Sequence, residues 1–559
     1  MFFYQILKSL TKTEKMFLYL AIAIFFVSSL LGLSYFINKN TVSVPVESGA
    51  YTEGIVGQPK FINPIISNTD TDRDLSQIVY SDLTDLMDHY DVDPEGKTWN
   101  VFLKSDLLWS DDKPLTSDDV IFTIETIQDP EAHSPLFTTW QGIIANRISE
   151  LEIEFTLRNQ YVFFLDNLKE LKIIPKHIFG SIPSSNLKLS NYNLEPVGSG
   201  PYKYADYSLR SDGFITQYNF AINPNYAGKK AFIQELSIKF FQGAEELIDS
   251  FNSRKIDGFG NLSPKNIEQI KITNKLTELK MPRYYAIFLN QNMNEALKEK
   301  TVRQALSIAT DKNKIINEVF SGRAEAVNQP ITSTIEGYKD LGSENFSLEK
   351  AAEILEKEGW KINPSTQPLG EGVNQETGIR EKKSGKNTVK LELQLIIPQI
   401  QSLTDAADLI KTDWGKIGIK LDLIKLNPAD INEDVIKNRN YQMLMFGNIL
   451  KNNPDIFSFW HSSEKFYPGL NLSLFQNKKT DESIEKIRKE MDTEKRIGEV
   501  SSLQEIIKNE QPAIFLFSPY YLYVSIKNLS GLEGRLLVTP SDRFKNINEW
   551  YLETSRVLK

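Results

Sequence analysis

Residues 99–120 read WNVFLKSDLLWSDDKPLTSDDV. The segment ends on Thr116-Ser-Asp-Asp119, set directly before Val120-Ile121-Phe122. This is a capping box: the Thr side chain accepts from the first turn of a helix while the acid reaches back to the cap, so a helix starts here. The helix stops before Asp129-Pro130, because the residue preceding a proline is pushed out of the helical region. Working outward, residues 151–157 (LEIEFTL) alternate apolar and polar with period two, the pattern of a half-buried strand. Residues 391–397 (LELQLII) and 419–423 (IKLDL) read the same way.

Helical spacing appears in Val302, Ala305, Leu306 and Ala309, and again in Ile315, Ile316, Val319 and Phe320. Ser347 caps a helix whose inner face carries Ala351, Ala352, Ile354 and Leu355 and which Gly359 closes. Residues 484–507 form a long charged helical stretch, interrupted near Gly498. Residues 361–388 are polar and rich in Gly and Pro, and read as a surface hairpin or excursion between a helix and a strand. Irregular alternation of strands and helices makes the body mixed α/β. No repeat of 20–50 residues points to a solenoid or propeller.

The first forty residues are a different object. Residues 16–37 (MFLYLAIAIFFVSSLLGLSYFI) carry no charge. At about 1.5 Å per residue the run reaches roughly 33 Å as a helix, enough for a hydrocarbon core of about 30 Å. Lys8, Lys12 and Lys15 precede it, so residues 1–15 stay in the cytoplasm and everything after Asn38 is exported. A cleaved signal usually has an apolar region of about 7–15 residues ending in small residues, and Ser34-Tyr-Phe-Ile37 fits that poorly. The run is read as an uncleaved single-pass anchor in the cell membrane, followed by a linker over 38–50.

Composition narrows the function. The 559 residues contain no Cys and four His, with 41% hydrophobic and 25% charged residues. At about 150 residues per domain that allows three or four folding units. Without Cys there are no disulfides, thiolate metal sites, cysteine nucleophiles or lipidated cysteines. With four Lys and one Glu in residues 1–40, the net charge of −9 leaves −12 on the exported part, which excludes a nucleic-acid binder.

Signatures of catalysis are missing. There is no G-x-S-x-G elbow, H-E-x-x-H, Walker A run or strand-borne G-x-G-x-x-G. Asp70, Asp72 and Asp74 start a calcium-loop spacing, but Leu75 and Ser81 stand where Gly and Glu are needed. Asp91, Asp93 and Glu95 start another, with Gly96 in place and Phe102 at the last position. Both clusters read as solvated turn acids. His461, after Trp460, reads as a surface or satisfied loop histidine, with ligand contact as the alternative. What remains is aromatic richness (22 Tyr, 32 Phe, 7 Trp), mostly core. A cleft that engulfs an organic ligand also needs apolar walls with a few polar anchors. An anchored external protein without catalytic groups is read as a binding protein.

The 99–120 segment resembles the "W-x-D-G-x-P … T-A-x-D-V" signature of the family 5 extracellular solute-binding proteins, the peptide, oligopeptide and nickel receptors of ABC importers. Matches follow in order: Phe61-Ile-Asn-Pro64, Pro196-Val-Gly-Ser-Gly-Pro-Tyr202, Asn223-Pro-Asn-Tyr226, Val302-Arg-Gln-Ala305 through Asp311, residues 351–360, Trp414-Gly-Lys-Ile-Gly-Ile419, Tyr441-Gln-Met443 through Asn453-Pro-Asp455, and residues 504–519. The resemblance covers about residues 51–535. It implies an α/β, two-lobed periplasmic-binding-protein-like fold (class II, cluster C type) with an extra small domain. One lobe would comprise about 45–70, 196–283 and 515–559, the extra domain about 71–195, and the second lobe about 284–514.

By the same resemblance, three segments line an interlobe cleft. They supply Asn68, Thr69 and Asp70; then Phe446, Gly447, Asn448, Leu450, Asp455 and Trp460; then Phe517, Ser518 and Tyr520. Peptide-binding members place an Asp a few residues before "D-P" on the ligand's amino terminus. Leu450 stands there in this chain, with Asp455 or Asp70 as substitutes. The resemblance implies a monomeric, non-enzymatic importer receptor for peptides, without cofactor or metal, delivering to ABC permease subunits. The alternatives are a non-peptide solute, or a retained binding fold serving as a sensory or interaction module.

Overall fold

The computed structural model describes residues 11–342, 345–363, 378–385, 387–534 and 536–558. The opening segment folds as its pattern dictates, with Thr98–Leu103 a strand and Ser117–Gln128 a helix. Thr116 N donates to Asp119 Oδ2 at 3.0 Å, and its hydroxyl accepts from Asp118 N at 3.3 Å. Trp99, Val101 and Leu103 face inward from alternate positions. The strand lies in a four-stranded antiparallel sheet ordered Met87–Val92, Thr98–Leu103, Glu152–Thr156, Ile144–Ser149.

Two larger sheets organise the rest. The seven-stranded sheet runs Lys275–Leu279, Tyr521–Ser525, Gly258–Phe259, Ala50–Val56, Glu235–Phe241, Ile215–Ile222, Tyr202–Leu209. The six-stranded sheet runs Ala324–Ala326, Ala513–Pro519, Arg283–Leu289, Met443–Ile449, Glu392–Pro398, Lys420–Leu426. Alternation along Arg283–Leu289 separates two cores. Ile287 and Leu289 join one with Leu395 and Met443, while Ala286 and Phe288 join the other with Leu444 and Phe515. The sheet is therefore covered on both faces.

The chain passes between these sheets at two adjacent places. Lys280-Met281-Pro282 connects Lys275–Leu279 to Arg283–Leu289, and Tyr520 connects Ala513–Pro519 to Tyr521–Ser525. The connected strands pair with one another on either side, so the crossings lie side by side. This is a two-lobed α/β architecture, with the four-stranded sheet packed into the same core as the seven-stranded one.

Among the described residues one helix, Lys12–Asn40, is long and apolar enough to cross a membrane, and none of it is buried. The segment expected to be a linker is not one. Thr41–Pro45 is a strand that follows the helix directly and pairs antiparallel with Thr554–Leu558. Its period-two Val42 and Val44 support a strand, but the partner is remote in sequence and leaves no local sign.

One other expectation changes and one is met in its described part. The break in the charged helical stretch falls at Glu490–Asp492 rather than Gly498, because the Asp492 carboxylate caps Thr493–Glu510 by accepting from Glu494 N at 3.0 Å and Lys495 N at 3.1 Å. The polar 361–388 stretch contributes Lys361–Asn363, Ile379–Ser384 and Asn387–Lys390 to a three-stranded antiparallel sheet, and its residues 364–377 lie outside the described ones.

Candidate functional site

A cavity of about 670 Å³ opens where the end of the Met443–Ile449 strand faces the helix Asp70–Val79 and the 536–546 segment. Ile449, Leu450, Lys451 and Asn452 form one wall. Pro64, Ser67, Arg73 and Gln77 stand opposite, with Val538, Ser541 and Asp542 beside them. A third side comes from Asp166, Lys169, Glu170 and Lys172.

Each element has a physical reason to be there. Leu450 N donates to Pro282 O at 2.7 Å, which ties the strand end to one of the crossings. Thr69 caps the Asp70–Val79 helix by accepting from Asp72 N at 3.1 Å. The 540–544 turn is a capping box in which Thr539 N donates to Asp542 Oδ2 at 2.8 Å.

The lining is apolar with ionised groups of both signs. Lys451 Nζ donates to Asn167 Oδ1 at 2.9 Å and meets Glu170 at 3.0 Å. Asn453 Nδ2 donates to Asp166 Oδ2 at 2.9 Å, and Lys169 meets the other Asp166 oxygen at 2.9 Å. Asp82 lies between Lys172 at 2.8 Å and Lys545 at 3.2 Å. Burial pushes the carboxyls of Asp542 and Asp85 up, and burial is opposed at Lys545 by the nearby Asp82, so its ammonium moves up. Such a wall can hold an organic molecule that carries both a cation and an anion.

A second cavity of about 630 Å³ lies between residues 138–167 and 457–489. His461 lines it, stacked on Phe457 at 4.3 Å, with Nδ1 2.8 Å from Ser463 Oγ. Among the described residues no group of three or more His, Asp or Glu is placed to hold a metal.

Residues 84–467 match the family model described as bacterial extracellular solute-binding proteins, family 5 Middle. The chain belongs to this family. The family 5 protein is 24% identical over 537 residues to the oligopeptide-binding protein AppA of Bacillus subtilis, covering 92% of this chain and 93% of AppA. It is 22% identical over 529 residues to the dipeptide-binding protein of Escherichia coli, covering 88% and 93%. The solved structure of AppA from Bacillus subtilis with a nonapeptide covers 91% of this chain at a TM-score of 0.69, with all of that chain covered. The substrate-binding protein CtaP of Listeria monocytogenes superposes with a TM-score of 0.75 at 22% identity, covering 90% of this chain and 99% of CtaP.

Of the residues expected to meet ligand, Leu450 lines the 670 Å³ cavity of this family 5 protein. Asn68, Thr69 and Asp70 are exposed at its edge, where Asp70 pairs with Arg73 at 2.6 Å. Gly447 and Phe446 are half-buried on the strand, and Gly447 lies against Tyr285, whose ring a Cβ would approach to 3.0 Å. Asn448 Nδ2 and Trp460 Nε1 both donate inside the core to the Tyr284 hydroxyl, at 2.9 and 3.2 Å. Phe517 packs on Phe320 with centroids 4.7 Å apart. The side chains of Asn448, Trp460 and Phe517 thus belong to the packing of the six-stranded sheet rather than to the cavity wall.

Ser518 Oγ donates to Met281 O at 3.3 Å, and Tyr520 is half-buried at the second crossing. Asp455 accepts from the Tyr161 hydroxyl at 2.9 Å and pairs with Arg488 at 3.2 Å, so it is engaged by protein groups. Sequence reasoning missed Arg73, Asp166, Lys169, Glu170, Lys172, Lys451 and the 536–546 segment. Only Lys451, adjacent to Leu450, carried a local signal.

The first acidic cluster is also corrected. Asp72 and Asp74 are buried, not solvated, because Asp72 Oδ1 accepts from Lys60 N at 2.6 Å and Phe61 N at 2.9 Å, while Asp74 pairs with Arg543.

Proposed function

We propose that this protein is the substrate-capturing subunit of an ABC importer, a monomer held at the outer face of the cell membrane by its N-terminal helix. It takes peptides or oligopeptides between its lobes and delivers them to permease subunits. In this reading about 45–70, 196–283 and 515–559 form one lobe, 71–195 the extra domain and 284–514 the second lobe. Closure expels water, which strengthens polar contacts with the bound molecule.

The observation that carries the reading is the cavity whose walls come from both sides of the paired crossings and whose lining carries both signs of charge. Glu170, with its carboxylate open to solvent on one side, supplies negative charge for a ligand ammonium, a role that Leu450 cannot fill. Lys451 and Arg73 supply positive charge for its carboxylate. A chain 24% identical to AppA over 92% of its length fits the ligand class of AppA's solved structure, which holds a nonapeptide.

A second reading rests on Leu450, which is apolar and buried at the strand end. It makes the ligand a non-peptide solute of the same importer class. Native mass spectrometry of the full chain, released from detergent after growth in rich medium, separates the two. A ladder of adducts in the peptide mass range supports peptide capture, and one discrete non-peptide adduct overturns it while keeping an importer receptor.

A further inference from the structure

In the anchored reading the exported body is acidic, yet the charged groups nearest the helix exit are the cations Lys39 and Arg556, while Glu47 and Glu553 stand at the body end of the ribbon. Lys39 lies in the last turn of the helix and Arg556 on the strand beside its exit. Arg556 Nη1 reaches back to Asn38 Oδ1 and lies 3.4 Å from Thr41 Oγ1. The helix ends firmly here, since Asn40 Nδ2 donates to Phe36 O at 2.9 Å and Thr41 Oγ1 donates to Ile37 O at 2.5 Å.

The ribbon has a defined register. Thr41 is opposite Leu558, Val42 opposite Val557, Ser43 opposite Arg556 and Pro45 opposite Thr554. Arg556 and Leu558 thus share one ribbon face, and Val42 and Val557 the other. The uncharged run ends at Ile37, and three helical residues at about 1.5 Å each leave only some 5 Å before Thr41. With the helix spanning the bilayer as proposed above, Leu558 falls in the headgroup layer, which adds about 5–7 Å to each side of the hydrocarbon core. Its side chain lies in the open, at 78% exposed, and Val42 and Val557 are each 41% exposed.

Bonding continues from the ribbon into the body. Val46 N donates to Glu553 O at 3.1 Å, Ser48 N to Phe232 O at 2.9 Å, and Gln234 N to Gly49 O at 3.0 Å. No unbonded tether separates the helix from the seven-stranded sheet.

We propose that the strand Thr554–Leu558 is a second membrane contact, seated on the phospholipid headgroup layer beside the helix exit. Arg556 and Lys39 meet lipid phosphates, and Leu558 with Val557 enters the interface. The pairing with Thr41–Pro45 then makes a two-stranded post that holds the body at one height and one orientation. The proposal rests on the anchored reading above.

The test exploits a chain without cysteine, in which each introduced thiol is the sole labelling site. Full-length Leu558→Cys, Ile24→Cys and Leu189→Cys proteins carry an environment-sensitive fluorophore in nanodiscs of phosphatidylcholine and phosphatidylglycerol. Nitroxide lipids quench from the headgroup or from mid-chain. The expected result is headgroup quenching at position 558, mid-chain quenching at 24 and none at 189, which is exposed on the extra-domain side. Adding Arg556→Glu to Leu558→Cys weakens the quenching about two-fold and leaves position 24 unchanged. A 558 label quenched no more than the 189 label, with 24 quenched normally, overturns the second contact and leaves the anchor standing. Loss of quenching at 24 overturns the anchor itself, and the ribbon contact falls with it.

Discussion

Arg543 grips the Asp74 carboxylate end-on, with two bonds of 2.8 and 2.7 Å, inside the protein. Its Nε donates to Glu53 Oε1 at 2.9 Å, Tyr523 donates to the other Glu53 oxygen, and the Tyr51 and Tyr523 hydroxyls are 2.7 Å apart. One cation therefore joins the Ala50–Val56 strand, the Asp70–Val79 helix and the 540–544 turn, and two of these line the cavity. Removing one partner of a buried ionic group leaves an uncompensated charge, which costs about 3–5 kcal/mol. Arg543→Met is expected to lose that much in denaturant unfolding at neutral pH.

The same variant has a pH signature. Burial pushes the Glu53 carboxyl up, and Arg543 is the main group that opposes it. A carboxyl whose folded value lies above its unfolded one contributes stability that is full below the unfolded range and is lost as pH rises through the folded value. Without Arg543 the Glu53 value rises further. The gap between Arg543→Met and the parent should thus widen from acid toward neutral pH. A gap independent of pH between 4 and 7 would mean that the network is held by packing rather than by charge.

Glu170 supports a prediction about ligand. Its side chain is 42% exposed and meets Lys451 at 3.0 Å, so the pair contributes about 0–1 kcal/mol to folding. Glu170→Gln is expected to leave the melting temperature nearly unchanged. It should weaken a peptide with a free amino terminus about ten-fold, by loss of a hydrogen bond to a charged group, and leave the N-acetylated peptide untouched. Calorimetry with the two peptides checks this. Equal weakening of both would remove Glu170 from amino-terminus recognition.

What the sequence made legible was local. The caps at Thr116 and Ser347 and the period-two runs at 152–156 and 392–398 depend on neighbours a few residues away, and they formed where the pattern placed them. The ribbon of Thr41–Pro45 with Thr554–Leu558 depends on a partner at the other end of the chain. Asp72 and Asp74 looked like turn acids because nothing nearby announces Arg543 or the 60–61 amides. At the candidate site, Leu450 entered through the family resemblance, and the fold places it on the cavity wall. The cations around Asp82, Lys172 and Lys545, come from segments far apart in sequence. Asn448 and Trp460 donate into the core because both reach the Tyr284 hydroxyl, a contact that only packing creates.

Lys312 carries a stability prediction of opposite sign to Glu53. Its ammonium donates to Val327 O at 2.8 Å and Asn328 Oδ1 at 2.6 Å, and burial, with Lys508 nearby, pushes it down to about 7. Between that value and the ordinary lysine range the unfolded chain binds the extra proton, so stability rises with pH across that window. The slope reaches at most about 1.4 kcal/mol per pH unit. Lys312→Met should abolish this rise between pH 7 and 9 in denaturant titrations. A parent curve flat across the same range would show that the two hydrogen bonds keep the ammonium charged.

Arg488 fastens the two sides of the protein beyond the cavity. Its Nε lies 3.2 Å from Asp455, its guanidinium covers the rings of Phe457 and Tyr161 at 4.4 and 5.0 Å, and its carbonyl accepts from Val162 N at 2.9 Å. Tyr161 completes the set by donating to Asp455 at 2.9 Å. In the proposed division Tyr161 belongs to the extra domain and Asp455 and Arg488 to the second lobe, so these contacts favour the closed arrangement. A ligand that binds only the closed form has its affinity reduced by the fraction of protein that is closed. Arg488→Ala removes the side-chain contacts and should raise the radius of gyration in solution scattering without ligand. It should also weaken peptide binding about ten-fold, and saturating peptide should restore the parent's dimensions. Weaker binding without a change in dimensions would place Arg488 in direct ligand contact instead, because a group that acts through closure cannot change affinity and leave the population of open molecules where it was.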